Sequence, residues 1–183
     1  MRIVGGIHRS RQLKMVGKPT TRETADMVRE SVFNMLGGTV RGVVLDLFSG
    51  SGAYALEAIS RGASYAHSVD LSKDAIKTIQ ENAKILKEEH KVSTHLKDYE
   101  QFLTSLAMDQ KFDLVFLDPP YEMNIYESVI HLLNHHTVED ARIICESKKQ
   151  FELPDTIDDF VKIKDKAYGI KRITIYEKEA QAH

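Results

Sequence analysis

From Gly42 onward the chain alternates short apolar runs with stretches whose apolar positions recur every three or four residues. Val43-Val44-Leu45-Asp46-Leu47-Phe48 reads as a buried strand, Ala53 to Arg61 as a helix, Tyr65 to Leu71 as a second strand and Lys73 to Lys87 as a second helix. In that second helix Ile76, Ile79, Ala83 and Leu86 form a core stripe, with Ser72 placed to cap its first turn. A weaker strand near Val92–Leu96, a helix near Tyr99–Met108, the strand Phe112–Leu117, a helix near Tyr126–His135 and the strand Ala141–Glu146 continue the series. Strand–helix alternation of this kind predicts an α/β fold with five parallel strands. Residues 160–178 change character: Val161 and Ile163, then Ile170, Ile173 and Ile175, flank Tyr168-Gly169 and predict two closing strands joined as a hairpin. The expected sheet has seven strands, mostly parallel, finished by an antiparallel pair.

Ahead of Gly42, Arg2-Ile3-Val4 and Gln12-Leu13-Lys14-Met15-Val16 predict a small β-hairpin, and Ala25 to Leu36 reads as an amphipathic helix leading into the domain. The organisation expected is a basic segment over 1–41, hairpin plus helix, joined to one compact unit over 42–183. A chain of 183 residues that is 42% hydrophobic can bury a full core. Cys145 is the only cysteine and lies in an apolar run, so it reads as a buried structural thiol in a protein of the reducing cytoplasm. No stretch has the apolar length of a signal peptide or membrane span, which argues against export and a membrane partner. Of the eight histidines, His8, His67, His95, His131, His135 and His136 form no convincing metal cluster, and no metal is expected.

Charge adds an asymmetry. Residues 1–41 carry Arg2, Arg9, Arg11, Lys14, Lys18, Arg22, Arg29 and Arg41 against Glu23, Asp26 and Glu30, a net of +5 in a chain whose total is −2, which leaves −7 for the rest. A basic end on an acidic body suits a phosphate backbone, whose neutralisation releases counterions. A solvated arm would read the same way. The candidate RNA contacts are Arg2, Arg9, Arg11, Lys14, Arg22 and Arg29.

Asp46-Leu47-Phe48-Ser49-Gly50-Ser51-Gly52-Ala53 follows the first strand and opens a helix, the place where an α/β sheet receives a ligand. Gly50 and Gly52 let the backbone approach that ligand. Asp70 ends the second strand, where a carboxylate can accept hydrogen bonds from ribose hydroxyls. A dinucleotide and S-adenosylmethionine both fit, since Ala55 can serve as the third small residue of a dinucleotide fingerprint. Asp46 favours the second, because a carboxylate repels a pyrophosphate and attracts a sulfonium or ammonium. Asp98 can meet an adenine amino group, cap a helix, or both. Phe48, Ser49, Leu71 and Tyr99 complete the candidate cofactor contacts.

The strand Phe112–Leu117 delivers Asp118-Pro119-Pro120-Tyr121 to the same end of the sheet. An amino group conjugated to a base ring is a poor nucleophile. Hydrogen bonds to the Asp118 carboxylate and the Pro119 carbonyl would turn its lone pair toward a methyl donor. The prolines stiffen the loop, and Tyr121 offers a face for base stacking. Direct transfer needs no covalent intermediate, and only a proton must leave, to Asp118 or water. A bare strand-to-helix turn is the alternative reading of this tetrapeptide.

Together these features resemble the RsmD family of bacterial 16S ribosomal RNA guanine-N2 methyltransferases. The resemblance runs almost the whole length. It is most specific in Arg2-Ile3-Val4-Gly5-Gly6 with Arg9, Arg11 and Leu13, in Val28-Arg29-Glu30-Ser31-Val32-Phe33-Asn34, in Asp46 through Gly52 with Leu56-Glu57-Ala58-Ile59-Ser60-Arg61-Gly62-Ala63, and in Asp118 through Tyr121. It implies a Rossmann-like class I S-adenosylmethionine-dependent methyltransferase fold and methylation of a guanine amine in 16S rRNA of the small ribosomal subunit. It places Asp46, Gly50, Gly52, Asp70 and Asp98 at the cofactor and Asp118 through Tyr121 at the target base. A monomer is expected. A DNA adenine-N6 methyltransferase, whose amine the same loop serves, and a non-catalytic RNA-binding assembly factor are the competing readings.

Overall fold

Neighbouring residues of the central strands bury themselves on opposite faces: Leu45, Val115 and Ile143 in one apolar cluster, Val44, Leu114 and Ile144 in another. A sheet apolar on both faces must be covered on both. The structure, a computed structural model, describes residues 1–17, 22–120 and 122–181, with residues 22–24 described in their backbone alone. Strands β1 (Val43–Asp46), β2 (Tyr65–Asp70), β3 (Val92–Leu96), β4 (Phe112–Leu117) and β5 (Thr137–Lys148) run parallel, in spatial order β3-β2-β1-β4-β5. Helices α1 (Arg22–Met35) and α2 (Ala53–Ser60) pack on one face through Val28, Val32, Phe33, Ala55, Ala58 and Ile59. Helices α4 (Tyr99–Thr104) and α5 (Tyr126–Leu133) cover the other through Phe102, Leu103, Val129, Ile130 and Leu133. Helix α3 (Lys73–Ile85) starts at Ser72, whose side chain accepts a hydrogen bond from the Ala75 N–H, as its spacing predicts.

The closing hairpin forms from β7 (Phe160–Tyr168) and β8 (Lys171–Lys178), with β8 inserted between β5 and β7. The sheet has eight strands rather than seven, because the two-residue β6 (Thr156–Ile157) pairs with β7, too short to leave a periodic signal. Two further boundaries differ most from the sequence pattern. Strand β5 begins at Thr137, four residues early, where a register shift and Asp140 at φ 65° interrupt the apolar pattern. Helix α4 ends at Thr104, whose hydroxyl turns back onto the Glu100 carbonyl at 2.8 Å.

The N-terminal hairpin is only half realised. Residues 1–13 do fold back on themselves, through Ile3 N–H to Arg11 O, Ser10 N–H to Ile3 O and Leu13 N–H to Met1 O, but the ladder reduces to one bridge, Arg2 to Gln12. The returning half finds its partners in side chains instead. The Lys14 N–H donates to Asn82 Oδ1 at 2.8 Å and the Val16 N–H to Ser51 Oγ at 2.8 Å, while Asn82 Nδ2 donates to the carbonyls of Lys14 and Ser51. Ile3 and Leu13 pack with Leu56, Ala83 and Leu86 beneath them.

What ties this arm down is Glu57 on α2, fully buried. Its carboxylate accepts the backbone N–H groups of Val4 and Gly5, both at 2.9 Å, and pairs with Arg29 at 3.3 Å and Arg61 at 2.8 Å. Arg29 reaches onward to Asp26 and to the Arg2 carbonyl. Gly6, at φ 77°, lies so close to Ser60 that a Cβ would fall 2.0 Å from its carbonyl oxygen. Removing one charge from a buried, hydrogen-bonded cluster strands the others. Glu57→Gln is therefore expected to cost about 3–5 kcal/mol in denaturant unfolding. Amide hydrogen exchange should accelerate first at Val4 and Gly5; unchanged protection there would show that the arm is held otherwise.

Candidate active site

Alternation along the strands aims three carboxylates the same way. Asp46 ends β1 opposite Phe116, Asp118 follows two residues after Phe116, and Phe116 itself lies opposite Ile144, two residues before Glu146. Residues two apart on a strand share a face, so Asp46, Asp118 and Glu146 all lie toward the α1 and α2 side at the carboxyl end of the sheet. A cavity of about 550 Å³ opens there, within the usual range for small-molecule sites. Phe48, Asp70, Asp98 and Tyr99 wall one part of it, and Asp118, Pro119, Pro120 and Met123 another. A second cavity of about 240 Å³ lies against α1 and α2, lined by Met15, Arg29, Ser49, Tyr54 and Glu146 among others. Phe48, Gly50, Asp118 and Lys171 belong to both walls.

The glycine loop behaves as its sequence suggests. Gly50 and Gly52 adopt φ of 55° and 84°, and the space beside the missing Cβ of Gly50 is open. The Gly50 N–H donates to Asp70 Oδ2 and the Ser72 N–H to Asp70 Oδ1, both at 2.9 Å, so the loop and the end of β2 hold one carboxylate between them at the cavity wall. Leu71 stands beside it, exposed. The Phe48 and Tyr99 rings lie 5.5 Å apart at 43°. Asp98 caps α4, accepting the Glu100 N–H while Gln101 answers in a capping box, and it lines the cavity as well.

Asp46 lies beneath the loop, lining neither cavity. Ser49 Oγ donates to its Oδ2 at 2.9 Å, whereas Oδ1, fully buried, has no hydrogen-bond partner among the described residues. Burial pushes its carboxyl up to about 7 against the pull of the Ser49 hydroxyl and the Ala55 backbone N–H. Asp118 is raised well above the carboxylate range too, first by burial and then by the Glu146 carboxylate beside it, with Lys171 opposing. Asp118 in the cavity wall and Asp46 beneath the loop both resist ionisation, and a cationic ligand beside them would favour their charged forms.

Glu146 and Lys171 were not among the residues singled out from sequence. Lys171 Nζ lies 2.6 Å from Glu146 Oε1, and the Tyr54 hydroxyl donates to Oε2 at 3.0 Å. A carboxylate closing the apolar run Ile143-Ile144-Cys145 was a legible signal, the same one that marks Asp118. Lys171 carries none. Tyr121 lies outside the described residues, as does the side chain of Arg22.

The basic residues divide. Arg9 is exposed, Arg11 Nη2 donates to the Ile85 carbonyl at 2.7 Å, Lys14 pairs with Glu81 and Arg2 with Asp26 at the surface. Arg29 corrects the expectation of an RNA contact: 4% exposed and committed to Glu57 and Asp26, it is a structural cation. Cys145 is buried, and burial pushes its thiol far up, as a structural role requires.

The family model described as Conserved hypothetical protein 95 matches residues 1–177. The Bacillus subtilis protein YlbH is 36% identical over 182 residues, 97% of this chain and 99% of that one. Ribosomal RNA small subunit methyltransferase D of Escherichia coli K12 is 32% identical over 184 residues, 99% of this chain and 91% of that one. The solved structure of yhhF from Escherichia coli superposes with a TM-score of 0.84 at 30% identity, covering 99% of each chain. More distant methyltransferase structures, one of them complexed with SAH, share the fold alone, the latter with a TM-score of 0.68 at 15% identity. Likeness sustained from the N-terminal arm to the closing hairpin leaves one conclusion: the chain has the class I methyltransferase fold and belongs to the RsmD family of ribosomal RNA methyltransferases.

Proposed function

We propose that this protein transfers a methyl group from S-adenosylmethionine to the exocyclic N2 amine of a guanine in 16S ribosomal RNA of the small subunit. The observation that carries the reading is Asp118 standing in the wall shared by the two cavities, with Pro119 and Pro120 lining the larger one, the cofactor loop lining both and α1 lining the smaller. The name of the Escherichia coli relative supports a small-subunit rRNA substrate. Guanine N2 rests on family resemblance and on the amine chemistry that the loop suits.

The residues fit the donor. Asp70 and Asp98 offer acceptors to ribose hydroxyls and an adenine amino group, Phe48, Leu71 and Tyr99 offer apolar surface to a purine, and the partnerless Asp46 Oδ1 favours positive charge nearby. When bound, S-adenosylmethionine supplies a methyl carbon made electrophilic by a sulfonium. The protein's part is to hold the amine. Asp118 accepts one amino hydrogen and the Pro119 carbonyl the other, which localises the nitrogen lone pair and points it at the donor. Pro119 is buried and Pro120 exposed, so the loop is anchored at one residue and open at the next. As the nitrogen–carbon bond forms, the nitrogen sheds a proton to Asp118 or water.

Incubation of the purified protein with labelled S-adenosylmethionine and small subunits lacking the mark, followed by nucleoside mass analysis, should show N2-methylguanine in 16S rRNA. Label in adenine, or none, would refute the assignment. Asp118→Asn should lower turnover at least about 100-fold with donor affinity intact. Asp46 is neutral below about pH 7 and charged above it, so donor affinity measured by calorimetry should weaken as pH falls through that value, by up to about tenfold per unit. Asp46→Asn should flatten that dependence. Arg9→Ala with Arg11→Ala should weaken RNA binding, more visibly at raised salt, at unchanged donor affinity.

A further inference from the structure

Glu146 and Lys171 stand behind Asp118 without a part in the transfer described so far. Resting on the function proposed above, we propose that they are positioning residues of that reaction: Glu146 makes Asp118 the acceptor of the proton lost by the methylated nitrogen, and Lys171 holds Glu146 in place and limits that basicity.

Geometry supports this. Strand β5 carries Glu146 to the position beside Asp118, and the residue is then fixed at three points, two of them on its carboxylate. Its backbone carbonyl accepts the Tyr126 hydroxyl at 2.7 Å, its Oε2 the Tyr54 hydroxyl at 3.0 Å, and its Oε1 lies 2.6 Å from Lys171 Nζ. The side chain of Glu146 is 5% exposed and that of Lys171 30%, so the ammonium sits at the mouth and the carboxylate inside. The charges acting on Asp118 are Glu146 from β5, Lys171 from β8 and Asp46 from β1; Tyr54 from α2 and Arg29 from α1 line the smaller cavity with it, and Asp70, Lys97 and Asp98 the larger. The Arg29 charge is engaged by Glu57 and Asp26, and burial together with Glu146 and Asp118 keeps the Tyr54 hydroxyl protonated. Glu146 and Lys171 are therefore the two largest opposing charges beside Asp118, and Asp46 adds a smaller influence in the same sense as Glu146.

The proton balance gives the pair its purpose. With the donor bound, its positive charge would keep Asp118 ionised and able to accept an amino hydrogen. A nitrogen–carbon bond forms as the sulfur–carbon bond breaks, and the positive charge moves to the nitrogen. Asp118, with the Glu146 carboxylate alongside, then binds the departing proton strongly and later yields it to water. A lone exposed aspartate would keep the same geometry and lack this affinity.

Opposite shifts test the assignment. Glu146→Gln removes the neighbouring negative charge while keeping an oxygen for Tyr54, so the acidic limb of the kcat–pH profile moves to lower pH and plateau kcat falls about tenfold or more, with KM for donor and RNA little changed. Lys171→Met moves the same limb to higher pH, and Lys171→Arg restores it. Difference infrared spectra of the free protein provide a readout independent of turnover: the titrating buried carboxyl lost in Asp118→Asn should titrate lower in Glu146→Gln and higher in Lys171→Met. Melting temperatures and donor affinity establish that each variant is folded. Coincident profiles and unmoved carboxyl bands, or shifts in the same direction, would overturn the inference. A wild-type protein that methylates no guanine would instead overturn the function it rests on.

Discussion

The buried carboxylate of Glu57 is the constraint on which the site's second wall depends. A charge in the interior is tolerable only when its oxygens are fully engaged, and Glu57 engages two backbone N–H groups and two guanidinium groups from three separate segments. Satisfying it draws the first five residues onto α2 and fixes α1 through Arg29. That placement in turn brings Met1, Met15, Ala25 and Val28 opposite Ser49 and Tyr54 and makes the smaller cavity a cavity. The Asn82 clamp on Lys14 and Ser51 completes the closure, so the cofactor loop and the N-terminal arm are held by the same side chain.

Across the smaller cavity the rule is inverted. Asp46, Asp118 and Glu146 converge with fewer compensating cations than carboxylates, and the partnerless Oδ1 of Asp46 shows where the account is open. A structural cluster neutralises itself, as Glu57 does. A binding cluster leaves a deficit that a ligand fills. The two arrangements lie on one side of one sheet, bridged by α2, which carries Glu57 in its middle and Tyr54 at its start.

Local chemistry was the part most legible in the sequence. The parallel strands, the glycine loop, the Ser72 cap and the Asp-Pro-Pro loop each depend on neighbours in the chain, and periodicity or turn chemistry reveals them. Arg29 misled because a basic residue in a basic segment reads as surface until its partner Glu57, 28 positions away, is seen. Lys171 was invisible for a related reason: its meaning comes from the antiparallel register of β5 with β8, which pairs Lys148 with Lys171 and is set by packing across the sheet. Glu146 stood between these cases, marked by its apolar strand but lacking the prolines that singled out Asp118. The returning half of the N-terminal hairpin looked like a strand because its residues favour one, yet side-chain amide and hydroxyl groups took its backbone bonds.

The insertion of β8 between β5 and β7 has a consequence for how the protein is made. Domains fold as their chains emerge, N-terminal parts first, so the glycine loop, Asp118 and Glu146 leave the ribosome while the strand bearing Lys171 is still inside. Until β8 docks, β5 has a bare edge, and Glu146 lacks its ammonium. The centre thus acquires its full charge set only when the closing hairpin has been synthesised, and a nascent or truncated chain ending before that hairpin carries the binding loop without the completed site.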